Sequence, residues 1–125
     1  MIPFLCVFAG GGIGAVLRYA ISLIPFASLF PFSTFICNVL GAIAIGVFSE
    51  IVDRSQGSFN PDLVKFIQTG IFGGFTTFST FSLETFNLLD GGQIVLGTVY
   101  AAASLVCCIV GVLVGRSLVR MMVPA

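Results

Sequence analysis

Long apolar stretches separated by a few charged residues make up most of this chain. The stretches without any charge are residues 1–17, 19–49, 66–83 and 91–115. A helix needs about 20 mainly apolar residues to cross a bilayer. Pro25 and Pro31 divide the second stretch, because proline interrupts a helix. The pattern therefore predicts four membrane-spanning helices, at about residues 3–24, 33–52, 62–87 and 93–119.

The composition excludes most classes of soluble protein. Hydrophobic residues make up 58% of the 125 residues and charged residues 8%, whereas a soluble domain carries about 25% charged residues. The net charge of zero argues against nucleic-acid binding. The chain has no histidine, and it shows no nucleophile–base pair or metal motif, so we expect no enzyme. We expect an all-α membrane protein with one four-helix transmembrane domain, residues 1–125.

The basic residues favour one orientation in the membrane. Four spans place the N-terminus, the 50–65 loop and the C-terminus on the same side. The basic residues of that side are Arg54, Lys65, Arg116 and Arg120. Arg18 lies near the other edge, so the excess favours an N-terminus inside the cell. With so few charges, the pattern also permits insertion in both orientations.

Four short helices enclose little interior, yet several polar side chains fall within the predicted spans. Lipid is a poor environment for such groups. A second copy of the chain is the simplest way to cover them, so we expect a homo-oligomer. Gly10 and Gly14, like Gly111 and Gly115, have the four-residue spacing that allows close helix contact, mainly within one subunit.

The third span carries the most informative segment, GIFGGFTTFSTFSLETF at residues 70–86. Gly73 and Gly74 precede five Ser and Thr residues, a composition that forms helices poorly. A break near residues 73–77 would free carbonyl groups that hold a cation and N–H groups that favour an anion. The alternative is a continuous helix whose hydroxyl groups bond to their own backbone.

Other side chains could line an ion path beside such a break. Phe75, Phe78 and Phe81 recur every three residues, and ring edges attract anions weakly, although such a stripe is also typical of packing. Two polar stripes have helical spacing: Thr34 with Asn38, and Tyr100 with Ser104 and Cys108. The Asn38 amide can bind an anion or join two helices. Arg18 and Glu84 are the only charges well inside the predicted spans. They could serve as vestibule charges, or Arg18 could be a snorkelling side chain.

Three sequence segments together resemble the Fluc/CrcB family of fluoride channels. They are GGGIGAVLRY in the first span, Asn38 in the second and GIFGGFTTFSTFSLE in the third. The resemblance implies an antiparallel, dual-topology homodimer with two fluoride pores, in which the third helix of each subunit is broken in mid-membrane. It also implies location in the cell membrane (the inner or plasma membrane) and passive, electrogenic fluoride export that reduces fluoride toxicity.

The same resemblance implies roles for particular residues. The backbone carbonyls of Gly73 and Thr76 would hold a structural sodium ion at the subunit interface. The residues of the fluoride pathway would be Thr34, Asn38, Phe78, Phe81, Tyr100 and Ser104. Arg18 and Glu84 would lie in the vestibules.

Two other functions remain as alternatives. A small four-helix multidrug or cation transporter needs a carboxylate at the membrane centre, which the first span lacks and Glu84 does not supply. A membrane scaffold without transport activity would leave the glycine- and hydroxyl-rich segment without a function.

Overall fold

The computed structural model describes residues 1–122, and within that range the regular structure is entirely helical. Helix α1 covers Ile2–Ser22 and α2 covers Phe32–Arg54. Helix α3 spans residues 61–75, α4 covers Phe78–Asp90 and α5 covers Ile94–Met122. The prediction of an all-α protein is confirmed.

Three of these helices, α1, α2 and α5, are long and apolar enough to cross a membrane. The predicted third span corresponds instead to two shorter helices, α3 and α4, separated by residues 76–77. Most large apolar side chains on α1 and α5 point outward; Phe4 and Phe8, for example, are each 81% exposed. This surface is suited to lipid rather than to water.

Helix α3 changes its winding along its length. It begins as α-helix over Pro61–Val64, continues as π-helix over Lys65–Phe72 and ends with a short α-helical segment, Gly73–Phe75. The Asn60 side chain caps its start by accepting a hydrogen bond from the Asp62 backbone N–H at 2.8 Å. π-Helical turns are rare in proteins, and many of those that occur lie at functional sites.

Glycines bring two pairs of helices into backbone contact. Gly10 and Gly14 of α1 lie against Gly70 and Gly74 of α3, where an added Cβ would collide with backbone atoms of the facing helix. The same close approach joins α2 to α5 through their own glycines, at Gly46 and Gly115. The fold is thus built from two tight pairs, α1 with α3 and α2 with α5.

An ion-pair cluster joins the ends of α2 and α5. The Glu50 carboxylate, whose side chain is 8% exposed, accepts hydrogen bonds from Arg54 Nε at 3.0 Å and Arg120 Nε at 2.9 Å. Arg116 bridges Glu50 and Asp53. Helix α2 ends at Arg54 and α5 reaches Met122, slightly past their predicted ends near 52 and 119.

Candidate functional site

The chain leaves helical geometry at two consecutive threonines between α3 and α4. Thr76 has φ −84° and ψ 156°, and Thr77 has φ −149° and ψ 116°, both extended conformations. Thr77 then starts α4, because its Oγ1 accepts a hydrogen bond from the Thr80 N–H at 3.2 Å. Thr76 closes α3 by donating its hydroxyl to Phe72 O at 2.8 Å.

The side-chain amide of Asn38, on α2, holds this break open. Its Oδ1 accepts from the Thr77 N–H at 2.7 Å, and its Nδ2 donates to Thr77 O at 3.0 Å. In a continuous α-helix the Thr77 N–H would bond to Gly73 O, four residues earlier. Asn38 therefore takes the donor that would otherwise satisfy the Gly73 carbonyl. Asn38 joins two helices, as one of the sequence interpretations expects, and keeps one amide N–H for another acceptor.

Arg18 reaches the same break from α1. Its Nε donates to Gly74 O at 3.2 Å, and the side chain is half-buried. This contact is possible because Gly14, one turn earlier, lets α1 approach the backbone of α3. A guanidinium at the carbonyl end of α3 also interacts favourably with the helix dipole.

The two phenylalanines of the expected fluoride pathway differ in burial. Phe78 is 73% exposed and Phe81 is 8% exposed, with their ring centroids 5.4 Å apart. Phe81 also packs against Tyr100, at 5.3 Å between centroids. One ring is thus fixed inside the subunit, and the other projects from it.

Glu84, on α4, connects two of the predicted pathway residues. Its Oε1 accepts from the Thr34 hydroxyl at 2.9 Å, and its Oε2 accepts from the Tyr100 hydroxyl at 2.7 Å. Tyr100 is fully buried, and its ring meets Phe30 edge-on at 5.2 Å between centroids. Glu84 thereby ties α2, α4 and α5 together through polar contacts.

A groove of about 420 Å³ runs along the break. The residues that line it include Asn38, Gln68, Gly73, Thr76, Phe78, Phe81, Ser104 and Cys108. Ser104 is 4% exposed, and its Oγ is buried without a hydrogen-bond partner in the described part of the chain. A buried hydroxyl without a partner is unusual, because leaving such a group unbonded costs about 1–3 kcal/mol. One wall of the groove therefore holds a buried hydroxyl whose hydrogen-bonding capacity is not used by the described residues.

The carbonyl end of α3 is chemically suited to an alkali-metal ion. Gly73 faces open space, since nothing lies within 4 Å of where a Cβ would stand. Gly73 and Thr76 both line the groove. Carbonyl oxygens are hard donors at the negative end of the helix dipole. The residues named in the sequence therefore fit a sodium ion.

The structure brings most of the predicted residues together, in two neighbouring groups. One group lines the groove beside the break: Asn38, Phe78, Phe81 and Ser104. The other group is joined by hydrogen bonds to Glu84, and its other members are Thr34 and Tyr100. Arg18 donates a hydrogen bond to Gly74 O, two residues before the break. Gln68 was not singled out in the sequence, although a glutamine inside an apolar span is a signal that could have identified it.

Comparisons with known proteins identify the family of this chain. A family model described as CrcB-like protein, Camphor Resistance (CrcB), matches residues 5–116. A protein of Nitrobacter hamburgensis named fluoride-specific ion channel FluC 2 is 42% identical over 120 residues, which cover 94% of this chain and 96% of that protein.

Two further relatives are both named fluoride-specific ion channel FluC. The one from Ruminiclostridium cellulolyticum is 44% identical over 123 residues, covering 96% of this chain and 94% of its own length. The one from Clostridium perfringens is 43% identical over 122 residues, covering 94% of both chains. These names agree with the predictions of a multi-pass membrane protein and of no enzyme. The family match and the near full-length identities together show that this chain belongs to the CrcB family.

Proposed function

We propose that this chain forms a fluoride-selective channel, which lets fluoride leave the cytoplasm passively and electrogenically and so limits fluoride toxicity. The observation that carries the proposal is the break at Thr76 and Thr77, fixed by Asn38 beside a groove with an unbonded Ser104 hydroxyl. The relatives named as fluoride-specific channels support the identity of the ion.

The channel is completed by a second copy in the opposite orientation. Counting α3 and α4 as one interrupted crossing gives four spans, with the break near mid-membrane in each copy. Irregular backbone at that depth needs protein or water beside it, because lipid cannot satisfy its polar groups. The open groove is the face on which the second copy covers the break, and a two-fold axis through the groove gives two equivalent pores.

Fluoride passes close to groups with weak positive charge. The first-turn N–H groups of α4 have no backbone partners within that helix and lie at its positive end, and only that of Thr80 is capped by the Thr77 side chain. The remaining amide hydrogen of Asn38, the Ser104 hydroxyl and the edges of Phe78 and Phe81 offer further weak contacts. Weak, successive contacts allow an ion to enter and also to leave.

Sodium, when bound, supplies a fixed positive charge at the interface. The carbonyls of Gly73 and Thr76 would hold it in each copy, as a structural rather than a transported ion. The Asn38 contact keeps the Gly73 carbonyl available by occupying the Thr77 N–H. Glu84, with Thr34 and Tyr100, forms the end of the polar path, and Arg18 raises the local anion concentration from the side of α1.

The multidrug-transporter alternative is less well supported by the same geometry. Proton-coupled export needs a carboxylate that binds and releases protons at the membrane centre. Glu84 lies off-centre, seven residues beyond Thr77 in the helix that follows the break, and Glu50 is paired with arginines at the helix ends.

Anion efflux from liposomes tests the proposal. Purified protein in vesicles should pass fluoride electrogenically in the presence of sodium and pass chloride hardly at all. Phe78→Ala should reduce fluoride flux while leaving the fold of the subunit intact, since this ring is exposed in the single subunit. Phe81→Ala should also reduce flux but destabilise the subunit as well, because the ring is buried. Equal passage of fluoride and chloride would refute the channel assignment.

A further inference from the structure

Gln68 is a polar side chain in an unexpected place. It belongs to the π-helical part of α3 and lines the same groove as Gly73 and Thr76. Its side-chain amide makes no hydrogen bond to any residue in the described range 1–122. An amide has two donors and an acceptor with two lone pairs, so this side chain has substantial unused bonding capacity.

The position of Gln68 along the helix places it inside the hydrocarbon layer, if the break lies near mid-membrane as proposed. It precedes Gly73 by five residues, which corresponds to roughly 7 Å along the axis at about 1.5 Å per residue. The hydrocarbon layer extends roughly 15 Å to each side of its centre. Water is scarce at this depth, and polar side chains there usually face protein or a wet cavity.

We infer that Gln68 forms a hydrogen bond across the subunit interface to a second copy of this chain. This inference rests on the antiparallel dimer of the proposed function. A two-fold axis near Gly73 and Thr76 sets α3 of one copy beside α4 of the other. Gln68 therefore meets the start of α4 in the second copy, residues 78–82, where Ser79 and Ser82 are exposed in the single subunit.

The two-fold relation also excludes a contact between the two Gln68 side chains. Each lies roughly 7 Å from the axis, on opposite sides, so their backbones are on the order of 14 Å apart. The dimer would then contain two equivalent hydrogen bonds, each from Gln68 to the hydroxyl-rich start of α4. Gln68 thereby helps to set the register of the two copies next to the sodium site.

The dissociation constant of the dimer in liposomes, measured by subunit exchange or single-molecule photobleaching, tests this contact. Gln68→Met keeps the length of the side chain and removes its polar groups. At the average strength of side-chain hydrogen bonds within membranes, losing two should raise the dissociation constant roughly sevenfold. Thr69→Val is the matched control: it removes a polar group from the next residue, which is exposed and does not line the groove, and should change the constant less than twofold.

A photoreactive amino acid at position 68 gives a second readout that does not depend on stability. Cross-linking to residues 78–82 of the second copy would support the inference. Cross-linking to lipid, or a Gln68→Met dimer as tight as wild type, would overturn it and show that Gln68 faces the bilayer. Absence of fluoride flux in a wild-type dimer would instead refute the proposed function, so the two failures are distinguishable.

Discussion

Replacing Asn38 by leucine tests the physical basis of the break most directly. Leucine has nearly the same size but cannot bond to Thr77, so the contacts at 2.7 and 3.0 Å are both lost. At about 1 kcal/mol net for each hydrogen bond, the free energy of unfolding should fall by about 2 kcal/mol. The Thr77 N–H is then free to return to Gly73 O, which would restore helical winding and withdraw that carbonyl from the cation site.

Two assays measure these effects. Reversible denaturation in mixed micelles should show the loss of stability, a factor of roughly 30 in the folding equilibrium. Fluoride efflux from liposomes should fall sharply, because the groove and the sodium site both depend on the break. Ser33→Ala on the same helix serves as the control, since Ser33 makes no hydrogen bond within the described residues. An Asn38→Leu variant with wild-type stability and flux would refute the role given to this amide.

Three other substitutions have distinct expected outcomes. Gly14→Ala should lower the free energy of unfolding by about 2 kcal/mol, because the added methyl group collides with the α3 backbone. Gly12 faces open space, so Gly12→Ala should leave the free energy of unfolding unchanged or raise it. Equal effects of the two substitutions in the denaturation assay would contradict the packing argument. Tyr100→Phe should cost about 1.5 kcal/mol, because its hydroxyl donates to a carboxylate, and should reduce fluoride flux; wild-type behaviour in both assays would show that this contact is dispensable. Glu50→Gln should lower the thermal midpoint much more than Asp62→Asn, which breaks an exposed pair at 3.8 Å. Equal midpoints would show that the ion pairs of Glu50 do not stabilise the fold.

The helical architecture could be predicted because its cause is local. Charge-free stretches of apolar residues have few alternatives to a helix in lipid, and the glycine spacing on α1 and α5 already indicated close packing. The glycine and hydroxyl residues of the third span indicated a weak helix at residues 73–77, where the chain in fact becomes extended at Thr76 and Thr77.

The tertiary contacts of the site could not be predicted in the same way. Nothing local to Asn38 specifies that both ends of its amide bond to Thr77, 39 residues away. The contact of Arg18 with Gly74 likewise depends on how α1 packs on α3, not on the sequence around Arg18. The π-helical winding of residues 65–72 has no evident signal in the sequence. This winding determines which residues of the helix face the groove, Gln68 among them.

The order in which the helices pair has a consequence for synthesis of the chain. Each tight pair joins helices that are not consecutive in the chain: α1 pairs with α3, and α2 pairs with α5. When α1 and α2 have been synthesised, neither helix therefore has its main partner yet. Consolidation of α1 must wait for α3, and that of α2 must wait for the last helix. Translocation machinery or a chaperone in the bilayer therefore has a period in which to hold these early segments, which is longest for α2.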